Sequence, residues 1–328
     1  MASSGQTDAI VIRAYGGPEA LQLESVPLGT PGPGQIQIRQ HAAGVNFHDV
    51  YVRSGLYQTL TPPGIPGLEG AGVVEAVGEG VTDFAVGDRV AYMDNSYGGY
   101  ARNRVLDAHL AVPVPDAVGF DTAAAWLLRG LTAMVLAEDV HKLEADMHVL
   151  VHAAGGGVGQ LLARIASRRG CTVYGTAGSE KKQRLAREAG CDEVIPYREA
   201  DVSARIADLT GGKGVAVAYD AVGADTFEGS LGALGLRGHL VLYGQASGPV
   251  PPFQLQRLGA KSNSVTRPFL WAYLDGTKRL RDLSAQLFAM IAAGDLPVGI
   301  GGHFPLADAA AAHRALEARE AGPFVLNC

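Results

Sequence analysis

The chain is poor in cysteine. Cys171, Cys191 and Cys328 stand far apart and form no CxxC pair. That spacing excludes a disulfide framework and a cysteine-based zinc site, and it fits a reducing, cytoplasmic setting. Each thiol reads as a small apolar group. Basic charge is also in short supply. The formal net charge is −6, so neither nucleic acid nor an anionic membrane is expected as the main partner. No continuous apolar run approaches the length of about 20 residues needed to cross a bilayer. The opening MASSGQTD has no basic n-region and no apolar h-region, so no secretory leader is expected. Against these absences stand 328 residues, 47% of them hydrophobic and 18% charged, enough to build two domains with proper cores.

The sequence is organised around His148 to Gly159, HVLVHAAGGGVG. Val149, Leu150 and Val151 read as a buried strand. Gly155, Gly156, Gly157 and Gly159 make a tight turn, and Leu161, Leu162 and Ile165 follow at helical spacing. Strand, glycine turn and helix in that order aim orphan N–H groups and partial positive charge at one point, where a pyrophosphate can sit. The spacing is Ala153-x-x-Gly156-x-x-Gly159, a departure from GxGxxG. An unliganded turn in an α/β protein is the competing reading of this stretch taken alone.

Before this stretch, from Asp8 to about Ala111, short β-branched runs alternate with Gly and Pro turns, which predicts a mostly antiparallel β domain. Asp121 to Val140 is a helix candidate with Asp121 as its N-cap, and Gly130 is expected to divide it. After His148, strands at 171–177, 192–197, 215–223 and 239–244 alternate with helices, which predicts a parallel sheet covered on both faces. Beyond about Arg267 come a long helix at 277–293, a short one at 306–318, and a terminal strand PFVLNC.

One more absence is informative. In a dinucleotide fold that selects NAD, an acidic residue near the end of the second strand binds the ribose 2′-hydroxyl, about 20 residues past the glycine turn. Here that place reads Gly175-Thr176-Ala177-Gly178-Ser179, followed by Glu180, Lys181 and Lys182. Small donors and ammonium groups suit a 2′-phosphate that a carboxylate would repel, so NADPH is expected over NADH. The alternative is that both lysines belong to a solvated helix face.

With these features in hand, the chain resembles the zinc-independent, zeta-crystallin-like quinone oxidoreductases of the medium-chain dehydrogenase/reductase superfamily. The resemblance covers nearly the whole chain and rests on AAGVNFHDVYVRSGLY (42–57), GLEGAGVVEAVGEGV (67–81), GDRVAY (87–92), LRGLTA (128–133), HAAGGGVGQLL (152–162), GTAGSEKK (175–182) and VTRP (265–268). It implies an α/β fold: a Rossmann doubly wound parallel sheet at 128–265, and a GroES-like β-rich catalytic domain formed by 1–127 and completed by 266–328. The family has a cleft between these domains and assembles as homodimers through strand pairing, or as tetramers built from them.

Carried over residue by residue, the resemblance places Asn46 and Tyr51 near the nicotinamide and its ribose, and Thr132 near the adjoining phosphate. Gly156, Gly157 and Val158 would meet the pyrophosphate. Gly178, Ser179 and Lys182 would hold the 2′-phosphate, and Tyr197 would face the adenosine end. Tyr243, Gly244, Arg267 and Arg319 would complete the cofactor site. Tyr197 and Tyr243 could instead cap strand ends, Thr132 could bond its own helix, and Arg319 could lie on a solvated face. Zinc-binding relatives carry a Cys and a His where this chain has Asn46 and Leu68, so no zinc is expected.

Hydride transfer to a quinone asks the protein to hold a flat acceptor, exclude water and supply a donor near the developing quinol oxygen. Tyr51 and Tyr57 are the candidate walls, because their rings stack and their hydroxyls donate. His48 beside Asp49 could donate a proton but reads first as a structural histidine paired to that neighbour, and His152 reads as structural. Two alternatives stand beside the quinone. One is an enone or enoyl reductase, in which a donor tyrosine matters more. The other is a non-catalytic NADPH- or RNA-binding protein, against which the acidic balance speaks.

Overall fold

The computed structural model describes residues 5–197, 200–320 and 322–328. The chain divides into two compact units. One runs to Leu128 and resumes over Gly276–Cys328, and the other is Arg129–Asp275.

The first unit opens with the antiparallel pair β1 (Gln6–Val11) and β2 (Gln22–Pro27). Then come β3 (Gln35–Val45), α1 (Phe47–Arg53), β4 (Glu69–Val77), β5 (Arg89–Met93), β6 (Asn103–Asp107), β7 (Ala111–Pro113) and the start of α2 (Phe120–Val135). In β3 the even positions Ile36, Ile38 and Gln40 point inward while Arg39 and His41 stay exposed, the alternation of a sheet with one wet face. β3 is central: it pairs antiparallel with β4 on one side and with β6 on the other. Gly72 sits where the β3–β4 register shifts, and a Cβ there would lie 2.0 Å from the Arg39 carbonyl oxygen. Only glycine lets the strands meet at that point.

The second unit contains the strand–helix alternation expected after His148. Its elements are β8 (His148–Val151), α3 (Gly157–Arg168), β9 (Thr172–Thr176), α4 (Glu180–Glu188), β10 (Glu193–Ile195), α5 (Val202–Leu209), β11 (Val215–Asp220), α6 (Phe227–Ala233), β12 (Leu234–Leu242) and β13 (Ser264–Thr266). The sheet order is β10-β9-β8-β11-β12-β13, and the strands pair parallel throughout the described residues. Numbered within the unit this is 3-2-1-4-5-6, the Rossmann order, whose reversal between the first and fourth strands is where dinucleotides bind. The chain then returns to the first unit through α7 (Gly276–Ala292), β14 (Gly302–Pro305), α8 (Ala309–Glu317) and β15 (Phe324–Asn327). β15 joins β3 antiparallel, pairing Phe324–Asn327 with Ala42–Val45.

Three expectations are corrected. Gly130 does not divide the helix at 121–140: α2 runs through it to Val135, and a single π-helical turn, Leu136–Val140, follows. The cost of one helical glycine, about 1 kcal/mol, is small against the burial of Trp126, Leu127 and Leu131 around it. The same stretch, Phe120–Val140, is 21 residues with mean hydropathy 1.2, so a helix long and apolar enough to span a bilayer does exist, but 78% of its apolar window is buried inside the protein. The fifth strand begins at Leu234 rather than His239, because β12 continues back through Gly235 and Gly238, with a register shift against β11 at its start.

In the first unit, α1 is tied to α8 by buried polar groups. Arg53 donates to Glu317 at 2.7 and 3.2 Å, and its Nη1 lies 3.4 Å from Nδ1 of His313. Arginine can only donate, so His313 carries its proton on Nε2 and gives it to the Tyr100 hydroxyl at 3.1 Å. Tyr100 in turn donates to Oδ2 of Asp49 at 3.0 Å. Burial, with Arg53 beside it, pushes the His313 imidazole down to about 3. Burial likewise takes His239 in the second unit down to about 4. The unfolded chain binds these protons near pH 6.5 and the native state does not. Stability is therefore unaffected above that pH and falls as pH drops from about 6.5 toward 3, at up to about 1.4 kcal/mol per unit for each group. Urea unfolding at pH 7 and pH 5 should show lower stability at pH 5, and His313→Asn should shrink the difference between the two while lowering stability at pH 7.

Candidate active site

The structure places the expected acceptor residues together in the first unit. Asn46 follows β3 directly and caps α1; it is 7% exposed. Its backbone N–H donates to Oδ2 of Asp49 at 2.8 Å, and its Nδ2 donates to Oε1 of Glu69 at 2.7 Å. The other oxygen of Glu69 accepts the Leu128 amide at 2.8 Å. A short amide in an apolar loop does have the buried partner such a group requires. Gly44 makes room for this carboxylate: a Cβ there would come within 2.4 Å of Glu69 Oε1.

One turn further along α1, the Tyr51 ring meets the Tyr57 ring edge-on, with centroids 5.1 Å apart. The Tyr57 amide donates to the Tyr51 carbonyl at 2.9 Å, which fixes the pair. Both rings are half-buried. His48, on the same helix, meets Tyr57 edge-on at 5.3 Å. Its expected pairing with Asp49 is corrected. Asp49 is engaged by Asn46 and Tyr100, and Nε2 of His48 instead lies 3.1 Å from the hydroxyl of Tyr97. Tyr97 is 3% exposed, and its hydroxyl bonds Thr59 Oγ1 as well. The sequence places the loop from Thr59 to Gly67 at the border of the cleft but does not show Tyr97 or its bond to Thr59, since nothing local in NSYGG or YQTLT points one at the other.

The site as built does not suit zinc. Leu68 is a fully buried hydrocarbon, and the Asn46 amide is committed to Glu69. Zinc takes thiolate, imidazole or carboxylate ligands. Among the described residues there is no group of three or more His, Cys, Asp or Glu able to hold a metal ion.

In the second unit the glycine turn is tightly packed. Gly156 caps α3 with extended backbone. A Cβ on Gly157 would lie 2.6 Å from Cδ of Arg129, and one on Gly155 would lie 2.4 Å from the Lys182 carbonyl. The turn after β8 thus abuts the start of α4, with Gly155 against Lys182. Ser179 is the N-cap of α4, its Oγ accepting from the Lys182 amide at 3.4 Å, and Gly178 precedes it, exposed. The start of α3 fits a dinucleotide pyrophosphate: a 12-residue helix begins there with no side-chain cap on its first amides. His152, fully buried, bonds Thr176 Oγ1 at 3.1 Å through Nδ1.

At the carboxyl ends of β11 and β12, the Tyr243 and Gly244 amides both donate to the Asp220 carbonyl, at 2.9 and 3.3 Å. The Asp220 carboxylate, fully buried, accepts from the Val222 and Gly223 amides and from the Thr226 and Ser230 hydroxyls, at 2.6–3.0 Å. It shapes the β11–α6 turn and was also missed from sequence, where an Asp before Ala-Val-Gly reads as ordinary turn chemistry. Arg267 donates from Nη1 to the Leu242 carbonyl at 2.9 Å. Thr132 is half-buried on α2. Tyr197, just past β10, packs partly buried against the apolar cluster that includes Tyr174 and Ile195. Arg319 lies in the other unit, at the end of α8, in left-handed backbone at φ 58°.

Comparison with known proteins agrees with both units. Residues 32–116 match the alcohol dehydrogenase GroES-like domain, and residues 157–286 match a model described as zinc-binding dehydrogenase. A quinone oxidoreductase of Pseudomonas aeruginosa is 44% identical over 314 residues, spanning 94% of this chain and 96% of the relative. A 2-haloacrylate reductase of Burkholderia is 40% identical over 95% of the chain and 96% of its own length. The crystal structure of Escherichia coli quinone oxidoreductase complexed with NADPH superposes with a TM-score of 0.95 at 39% identity, covering 98% of this chain and all of that one. A GroES-like unit, a Rossmann unit in 3-2-1-4-5-6 order and full-length identity near 40% converge, and the chain belongs to the quinone oxidoreductases of the medium-chain dehydrogenase/reductase superfamily.

Proposed function

We propose that this enzyme reduces quinones with NADPH, without zinc, by holding the acceptor against Tyr51 and Tyr57. The observation that carries the reading is an edge-on pair of half-buried tyrosines, Tyr51 on α1 and Tyr57 just past its end, beside a helix cap, Asn46, that is locked to Glu69 where metal-dependent relatives place a ligand. When bound, the nicotinamide supplies a hydride from C4. The protein's part is to position, to exclude water and to offer hydrogen-bond donors to the oxygen that gains charge.

For the cofactor, the helix start at Gly156–Val158 would hold the pyrophosphate. Gly178, Ser179 and Lys182 would hold the 2′-phosphate, with no carboxylate at the end of β9 to repel it. Thr132, Tyr197, Tyr243, Gly244, Arg267 and Arg319 would line the remainder, and Asn46 and Tyr51 would meet the nicotinamide ribose. A homodimer would extend the parallel sheet at its β13 edge, where Ser264 is exposed. The three separate free cysteines suit the cytosol.

The likeness to a 2-haloacrylate reductase supports a second acceptor class, activated carbon–carbon double bonds. There an enolate forms, and a tyrosine hydroxyl stabilises it more than it stabilises a quinol oxygen.

Loss of nicotinamide absorbance should be fast with 1,4-benzoquinone or 9,10-phenanthrenequinone and NADPH, and at least tenfold slower in kcat/KM with NADH; equal use of NADH would refute the phosphate assignment. Elemental analysis of the active protein should find no stoichiometric zinc. Tyr57→Phe should raise KM for the quinone with kcat changed less than about threefold, whereas a kcat loss of about a hundredfold on an enone would identify the double bond as the natural target.

A further inference from the structure

The acceptor-side unit contains a hydrogen-bonded line that the quinone chemistry described above does not use. It starts at Thr59, an exposed residue whose Oγ1 bonds the hydroxyl of Tyr97. Tyr97 is almost wholly buried, and its hydroxyl lies 3.1 Å from Nε2 of His48. The His48 ring leans edge-on against Tyr57 at 5.3 Å, and Tyr57 against Tyr51 at 5.1 Å. Three exchangeable protons therefore run in contact from solvent to the ring beside the aromatic wall.

Tyr97 is held in this line at a cost. Its φ is 69°, left-handed backbone that a bulky side chain rarely adopts. Such a residue persists where its surroundings over-determine it, and these sites concentrate at functional places. The surroundings are rigid here. Asp94, buried, pairs with Arg104 and accepts the Ser96 amide at 2.8 Å. On the far side, the Gly98, Gly99 and Tyr100 amides donate to the carbonyls of Ile65, Gly67 and Pro66 at 2.9–3.0 Å. Burial raises the Tyr97 hydroxyl above the ordinary phenol range, so it stays protonated and can both give and receive a proton.

We infer that Thr59, Tyr97 and His48 form a proton relay that delivers the proton needed at the acceptor oxygen, with His48 as the catalytic donor. The inference rests on the quinone-reductase reading. A quinone gains a hydride at one oxygen-conjugated centre and a proton at the oxygen that becomes negative. In this scheme the His48 Nδ1–H bond breaks and the quinol O–H bond forms. Nε2 takes the Tyr97 proton, Tyr97 takes that of Thr59, and Thr59 takes one from water. After the quinol leaves, a solvent proton returns to Nδ1 and the line resets: Nε2 hands its proton to Tyr97, Tyr97 its own to Thr59, and Thr59 its own to water, so two solvent protons enter, one leaves, and each turnover consumes one hydride and one solvent proton. The relay matters most for acceptors whose quinolate is strongly basic.

The test uses the full-length enzyme and its His48→Ala, His48→Gln and Tyr97→Phe variants. Turnover of 1,4-naphthoquinone, whose quinolate is strongly basic, is compared with that of 2,5-dichloro-1,4-benzoquinone, whose quinolate is weakly basic. NADPH affinity is followed by fluorescence titration and folding by Tm. Both His48 variants should lose about a hundredfold in kcat on naphthoquinone and much less on the dichloro compound, with NADPH affinity kept. Imidazole in the buffer should restore part of the loss in His48→Ala. Tyr97→Phe, which keeps the ring, should lose about tenfold and alter the solvent deuterium isotope effect on kcat. Wild-type turnover with variants that match it on both quinones would overturn the relay and leave the quinone reading standing. A loss equal on both quinones, without imidazole rescue, would overturn it too and mark His48 as structural. A wild-type enzyme that binds NADPH but reduces neither quinone would bring down the underlying reading, and the relay with it.

Discussion

A carboxylate buried in the first unit sets the terms for everything near it. Glu69 is fully buried, and a charge there is tolerable only if donors converge on it. Donors reach it from two separated pieces of chain, Asn46 just past β3 and Leu128 in α2, and Gly44 has no side chain to crowd it. Because Asn46 is held, the first turn of α1 is held. Because α1 is held, Tyr51 and Tyr57 keep their edge-on pairing. A second buried carboxylate one turn away, Asp49, repeats the device by receiving Asn46 and Tyr100, and passes the constraint through His313 and Arg53 to α8.

The second unit is built on the opposite economy. Its site is shaped by atoms that are missing. Gly155 and Gly157 lie where any side chain would strike Lys182 or Arg129, so the turn sits closer to its neighbours than other residues allow. Asp220 works as the acidic residues of the first unit do, gathering four donors so that the loop after β11 holds one shape.

This contrast explains what was legible in the sequence. The glycine turn, the β–α alternation and the missing carboxylate at the end of the second strand are local signals, and the Rossmann unit follows them nearly element by element. The break expected at Gly130 failed because tertiary burial of α2 outweighs a local propensity. The true start of β12 at Leu234 was hidden by two glycines that read as a turn. In the proposed acceptor site, Asn46, Tyr51 and Tyr57 lie close in sequence, and the structure packs the two tyrosine rings against each other. His48 was assigned to the wrong partner, because adjacency in sequence suggested Asp49 while the fold supplies Tyr97 from a loop 49 residues away. Long-range side-chain partners leave no periodic trace.

The closing strand has a consequence for how the molecule is made. The β3 backbone at Ala42–Val45 has β15 as its partner, and α1 depends on α8, yet both partners are encoded after the whole of Arg129–Asp275. At ribosomal rates of about 5–20 residues per second, the stretch from Val45 to Phe324 takes roughly 15 to 55 s to make. For that time an apolar strand edge waits for a segment not yet synthesised, while the Rossmann unit, contiguous in the chain, can finish. The nascent protein thus passes through a stage with one complete unit and one open sheet edge, and that stage is where a chaperone would find its binding surface.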